Sequence, residues 1–246
     1  MARSGGRRER QPLSKERIED AALELIERDG LDAFSTRKLA AELGCEAMSV
    51  YHYYPSKAHL LDGLFDRVIG GLPPDDPALH WRRRIETLVF AYREMAHRYP
   101  RFYPFIALHR HNTRVGLAWL ETVLTALHDT GVDIETVARF FRALSYYVVG
   151  GVLDETSGYA KGYSAAEPVP DDEADRAFPL VAAVNRYFKP AEYEATFRLG
   201  LKTLLDRLEV DAGKAAGRGR APPGTGSLAG VRPVSPRARS SRSSSR

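Results

Sequence analysis

A chain of 246 residues with 43% hydrophobic side chains can bury one large core or two small ones. It has no apolar run of about eighteen residues and no apolar stretch in its opening MARSGGRRER, so neither a membrane span nor a signal peptide is predicted, and a cytoplasmic location follows. Its single cysteine, Cys45, excludes an internal disulfide and a cysteine-ligated zinc, and its net charge of +4 is no broad basic field: residues 211–246 carry 8 Lys/Arg against 1 Asp/Glu, residues 1–70 carry 11 against 12, and residues 71–210 carry 17 against 19. Contacts with nucleic acid by the folded part must therefore be local.

Residues 1–12 read as a flexible basic arm, either a further contact to DNA or a solvated leader. Ser14 caps a first helix in which Ile18, Ala21, Ala22, Leu25 and Ile26 share one face, and Asp29-Gly30 ends it. Ser35 caps a second helix of about two turns carrying Leu39, Ala40 and Leu43, with Gly44 placed where a left-handed residue closes it. After a turn at Cys45 and Glu46, Ala47 to Tyr53 can form a third short helix with Val50 inward, stopped by Pro55. Ser56 caps a fourth, with Leu60, Leu61, Leu64, Phe65 and Val68 on its apolar stripe. Two short helices about a glycine turn are either a helix-turn-helix, whose second helix enters a DNA major groove, or a plain hairpin of an all-α domain. The company of Thr36, Arg37, Lys38, Ser49, Tyr51, Tyr53 and Lys57, which are hydroxyl and cationic groups suited to phosphate oxygens, favours the first.

The succession Asp-Gly-Leu, Phe-Ser-Thr-Arg-Lys-Leu-Ala-x-x-Leu-Gly and Ser-Val-Tyr-x-Tyr-Tyr-Pro-Ser-Lys-x-x-Leu-Leu resembles the N-terminal domain of the TetR family of transcriptional regulators, over Leu13 to Ile69. The resemblance implies a DNA-binding domain at residues 13–72 in which Thr36, Ser49, Tyr51, Tyr53 and Lys57 meet backbone phosphates. Arg37, Ala47 and Met48 would then reach base edges, Arg37 by hydrogen bonds to guanine and the other two by apolar contact. Lys38 and His52 belong to the same surface, although His52 is also placed to pack beside the first helix.

A linker at Pro73 to Pro77 opens a second domain, residues 76–210. Trp81 to Tyr99 reads as a long helix closed by Pro100, with Arg82, Arg83 and Arg84 as a solvated face. Phe102 to Leu108 is a short aromatic helix; His109 and His111, two apart, do not share a helix face and read as capping or partner-facing rather than as metal ligands. Val115 to His128 is the next helix. Ile134 to about Leu153 is apolar on so much of its circumference that it must be covered on two sides. Thr156 to Arg176 reads as a loop, Phe178 to Phe188 as a short helix, and Pro190 to Leu208 as the last helix. Phe-Arg-Leu-Gly-Leu at 197–201 resembles an element of the final helix in the branch containing the tetracycline repressor, a likeness running from Asp76 to Leu208. Residues 211–246, rich in Gly, Ala, Pro, Ser and Arg, are expected to form a disordered basic tail.

The expected fold is all-α: an N-terminal three-helix helix-turn-helix domain followed by a larger helical domain for ligand binding and dimerisation. The resemblance implies a homodimer paired through the helices near 134–153 and 191–208, bound to a palindromic double-stranded DNA operator and released by a small-molecule effector. Phe102, Phe105, His109, Trp119, Tyr146 and Tyr147 are the candidate lining of an effector pocket, or else ordinary core. No counterpart of the metal-coordinating tetracycline site is found, and no metal, cofactor or catalytic residue is expected. A helical enzyme is the competing class, but no nucleophile–base pair or phosphate loop is present. A further alternative is an interaction protein that keeps the fold without operator binding.

Overall fold

The computed structural model describes residues 12–157, 165–185 and 187–217, and among these every regular element is helical. Capping chemistry sets the first boundaries. The hydroxyl of Ser14 accepts the Arg17 N–H at 3.2 Å to start α1 (Lys15–Asp29), and Ser35 accepts the Lys38 N–H at 3.3 Å to start α2 (Thr36–Leu43). Gly44 adopts φ 67° and ψ 34°, the left-handed conformation that a side chain would strain, and turns the chain into α3 (Ala47–Tyr51). The Ser56 hydroxyl accepts the His59 N–H and starts α4 (Lys57–Gly70). Ile18, Ile26, Leu39, Val50, Leu64 and Phe65 are fully buried where these helices meet, each contributing about 1.5–3 kcal/mol by leaving water.

The second unit includes α5 (Trp81–Arg98), α6 (Tyr103–Leu108), α7 (Arg114–His128), α8 (Ile134–Ser157), α9 (Asp171–Ala177), α10 (Pro179–Asn185), a 3-10 turn at Pro190–Glu192, and α11 (Tyr193–Gly217). α5, α7 and α8 pack on one another, α11 packs along α8, and α4 packs on both α1 and α7. The two units therefore share one continuous core that includes Phe65, Ile85, Ile106, Leu127, Val152 and Leu205.

Several expectations need correction. α3 ends at Tyr51, not Tyr53, because the N–H groups of Tyr53 and Tyr54 both turn back to the Val50 carbonyl ahead of Pro55. Part of the expected 156–176 loop is helical: Thr156 and Ser157 complete α8, Asp171–Ala177 is a helix with three carboxylates at its N-terminal end, and residues 158–164 lie outside the described residues. The last helix continues past Val210 to Gly217, helped by Arg207 donating to Asp211 at 2.9 Å one turn on. The basic arm through residue 11 and the tail beyond Gly217 lie outside the described residues. Arg82 to Arg84 are no uniform solvated face. Arg83 is exposed, but Arg84 is only 4% exposed and binds Asp75 and Asp129, while Arg82 binds Asp206 and Glu209 on α11. Periodicity shows which stripe is apolar; it does not show that carboxylates from a linker and from distant helix ends converge on the polar side.

Candidate nucleic-acid interface and ligand cavity

The N-terminus of α2 and the body of α3 present one surface. Arg37 and Lys38 are exposed in the first turn of α2, and Met48, at 62% exposure, projects from α3 with Tyr51 and His52 exposed beyond it. Ser49 and Ala47 are half-buried, Ala47 packing against the core. Met48 is an apolar side chain on the same face as cations and hydroxyls, a composition that suits contact with base edges and methyl groups.

Three of the candidate phosphate contacts carry structural work as well. Thr36 is buried, so what it contributes is the position of the α2 N-terminus. The Tyr53 hydroxyl donates to the Leu13 carbonyl at 2.6 Å, fastening the entry of α1 to the end of α3. Lys57 donates to the Phe34 carbonyl at 2.9 Å and lies over the Phe34 ring, which leaves two of its three donors for an anion at the α4 N-terminus. Tyr54, which spacing alone did not single out, is buried with its hydroxyl donating to Glu19; burial and that carboxylate push its ionisation up. Arg67 of α4 binds Glu19 at 3.0 Å and also Asp20, so α4 and the segment that follows α3 are both tied to α1 in one body.

That body is fastened to the second unit at two places. Glu27 of α1 accepts the N–H groups of Arg101 at 3.1 Å and Phe102 at 2.9 Å just before α6. On α4, the ring of Phe65 is flanked by those of His109 at 4.6 Å and His111 at 5.2 Å, Asp66 accepts the Thr113 hydroxyl at 2.5 Å, and Asp62 lies 3.5 Å from Nε2 of His109. The two histidines thus both pack against one aromatic ring of the other unit, a role that their spacing did not disclose.

A cavity of about 90 Å³ lies between α5, α7 and α8, walled by Leu88, Tyr92, Trp119, Val123, Phe141 and Val148 among others, with His111 at its edge. Burial lowers the His111 proton affinity below its ordinary value, and the neighbouring His109 charge adds to this. Of the six expected pocket residues, only Trp119 lines this cavity. Phe102, Phe105 and His109 instead stack in sequence at 5.2 and 4.9 Å and belong to the junction with α4. Tyr146 is 70% exposed beneath the Arg142 guanidinium, on the outer side of α8. Tyr147 lines a different, larger cavity of about 440 Å³ between α8, α11 and residues 187–193. Glu155 lies in the wall of that second cavity, 6% exposed, held by Arg93 at 2.7 and 3.1 Å and by His97 at 2.7 Å. None of its lining residues comes from α4 or from the loop stacked on it, whereas the smaller cavity includes His111 of that loop; a third cavity of about 290 Å³ lies between α4 and α5, walled by Arg67, Val68, Met95 and Tyr99 among others. Among the described residues no cluster of His, Cys, Asp and Glu could hold a metal ion, and no helix is long and apolar enough to cross a membrane.

Residues 18–64 match the family model described as bacterial regulatory proteins, tetR family, and residues 73–211 match that of the tetracyclin repressor-like C-terminal domain. The chain is 29% identical over 216 residues to the HTH-type transcriptional repressor DrrR1 of Streptomyces coeruleorubidus, covering 80% of this chain and 78% of that one. It is 29% identical over 203 residues to the class A tetracycline repressor protein of Escherichia coli, covering 76% and 87%. The crystal structure of the Streptomyces coelicolor TetR family protein ActR in complex with actinorhodin superposes with a TM-score of 0.61 at 25% identity, over 82% of this chain and 100% of that one.

Proposed function

Because this chain belongs to the TetR family of bacterial transcriptional regulators, which are not enzymes, we propose that it is a homodimeric repressor that occupies a palindromic operator and leaves it when a small molecule enters the second unit. The observation that carries this reading is the continuity from cavity to DNA surface: His111 at the cavity edge stacks on Phe65 of α4, and α4 and the segment that follows α3 are both tied to α1 through Arg67, Glu19 and Tyr54.

The mechanism follows from volume. A typical small-molecule site spans about 300–1,000 Å³, whereas this cavity holds about 90 Å³. An effector must therefore spread α5, α7 and α8, and it binds the spread form better than the compact one. That differential affinity, typically about 1–3 kcal/mol, is what a ligand can transmit to α4 and to the recognition helices. Dimerisation is supported by the apolar residues that α8 and α11 leave exposed, including Ile134, Tyr146, Leu199 and Val210. A two-fold axis through that face would set the two α3 helices about 34–36 Å apart, one turn of DNA.

The test is selection of bound duplexes from random DNA by the purified full chain at stated salt. Enrichment of a two-fold symmetric sequence with half-sites one turn apart is the expected result. A folded dimer that enriches nothing overturns operator binding and leaves the second unit as the seat of function.

A further inference from the structure

The small cavity states what kind of molecule fits it. None of its lining residues is Asp, Glu, Lys or Arg. The Tyr92 hydroxyl is held as a neutral phenol, its ionisation pushed up to about 12 by burial, and the Ser145 hydroxyl already donates to the Phe141 carbonyl at 2.7 Å. A carboxylate, phosphate or ammonium placed there would lose its hydration and meet no counter-charge.

The walls also have a shape. Tyr92 and Trp119 stack with their planes within 14° of each other and centroids 6.4 Å apart, so the aromatic part of the wall has one orientation to offer a flat guest. Among the buried polar side-chain atoms of the lining, Nε2 of His111 has no hydrogen-bond partner. A buried polar atom of this kind is costly until something bonds to it, and the depressed proton affinity of this ring keeps it neutral, ready either to donate to a carbonyl or to accept from a hydroxyl.

We propose that the effector is an uncharged, flat aromatic molecule bearing a hydroxyl or carbonyl oxygen, its ring system lying along Tyr92 and Trp119 and its oxygen hydrogen-bonded to Nε2 of His111. The inference rests on the reading of this cavity as the effector site, and it makes His111 the residue that selects oxygenated over plain aromatics.

The test titrates the full chain, carrying Trp81→Phe so that Trp119 is the only tryptophan reporter, with 2-naphthol, naphthalene and 2-naphthoate at neutral pH. The expected result is that 2-naphthol binds about 5- to 50-fold more tightly than naphthalene, in the range of one hydrogen bond to a buried group, and that naphthoate binds weakest. In His111→Leu the preference for naphthol over naphthalene should fall to within about twofold, whereas His111→Gln, which keeps a donor and an acceptor, retains most of it. Equal affinity for naphthol and naphthalene, tightest binding of naphthoate, an undiminished preference in His111→Leu, or binding of none of the three each overturns the proposal. Operator release is read separately by fluorescence anisotropy of a selected duplex. Naphthol that binds with the expected His111 dependence but leaves the duplex bound sinks the effector reading while leaving the ligand class standing.

Discussion

The imidazole of His111 stacks on the ring of Phe65, centroids 5.2 Å apart and planes within 30°, and so joins the wall of a cavity in one unit to the central helix of the other. Phe65 is fully buried, and Gly116 lets α7 begin close beside this loop, where an added Cβ would stand 3.0 Å from the His111 Cα. If the pair couples the units, its two halves cannot contribute independently. Denaturant unfolding of Phe65→Leu, His111→Leu and the double variant should give a coupling energy of about 0.5–1.5 kcal/mol, the range for aromatic pairs. Strict additivity would mean that the contact transmits nothing.

Arg37 and Lys57 should fail differently on DNA. Arg37 is exposed at the α2 N-terminus and free to reach a base edge. Arg37→Ala should therefore cost about 1–3 kcal/mol on the selected operator and little on scrambled duplex. Lys57→Ala should weaken both alike and reduce the steepness of the salt dependence by about one ion, as loss of a phosphate contact does. Anisotropy titrations at several salt concentrations separate the two. A Lys57 effect confined to the operator would contradict the phosphate assignment.

The helix-turn-helix was legible because each of its boundaries is local chemistry. Ser14, Ser35 and Ser56 cap three helices through their own hydroxyls, and Gly44 turns left-handed where the pattern required it. The cavity was not legible, because an aromatic residue on a helix does not announce which neighbour it will face. Phe105 and Tyr146 both looked like pocket residues, yet one stacks at the unit junction and the other lies on the outside of α8. Polar convergence was missed for the same reason. Glu155 and Arg93 are 62 positions apart, as are many pairs that never meet.

Arg84 illustrates a contact that sequence reading placed on the surface and the structure buries. Its guanidinium donates to Asp75 in the linker at 2.5–3.0 Å and to Asp129 at the end of α7 at 2.5 Å. Arg84→Met would strand the Asp75 carboxylate, which is 13% exposed, beside an apolar side chain. The expected cost is about 2–4 kcal/mol, somewhat below that of breaking a fully buried pair because Asp129 remains in water. Replacing Asp75 by Asn in the same chain should recover part of that loss, and no recovery would show that Arg84 acts through packing alone.

Gly200 lies against the Tyr147 ring so closely that an added Cβ would stand 2.4 Å from three of its atoms, and the Tyr147 hydroxyl donates to the Phe197 carbonyl at 2.7 Å. This gives the Phe-Arg-Leu-Gly-Leu element a physical reason: the glycine admits a tyrosine from α8 into the groove of α11. Gly200→Ala should overpack the contact at a cost of about 1–3 kcal/mol, despite the better helix propensity of alanine. Adding Tyr147→Ala should remove most of that penalty in urea unfolding. A Gly200→Ala variant at least as stable as the parent would place Tyr147 elsewhere.

Acid should weaken the fold through His111 before any carboxylate is protonated. Burial, reinforced by the charge of His109, holds its proton affinity below the ordinary value of 6.5, so the folded chain prefers the neutral ring while the unfolded chain takes up a proton once the pH drops below that value. Stability is therefore level above about pH 6.5 and falls as the pH drops beneath it, at up to about 1.4 kcal/mol per pH unit for one proton. The carboxylates held low by helix-end N–H groups, as Asp133 is, or by Lys202 and then Arg82, as Asp206 is, lose their contribution only at more acid pH, since their ordinary value is 3.8. Urea unfolding between pH 7 and 5.5 should show the parent losing about 0.5–1.5 kcal/mol and His111→Leu losing distinctly less. The facing group on α4 is Asp62, which lies 3.5 Å from His109, so Asp62→Asn serves as the control for a contribution from that second ring. Parallel slopes for the parent and His111→Leu would assign the acid sensitivity to another group and leave His111 ordinarily solvated.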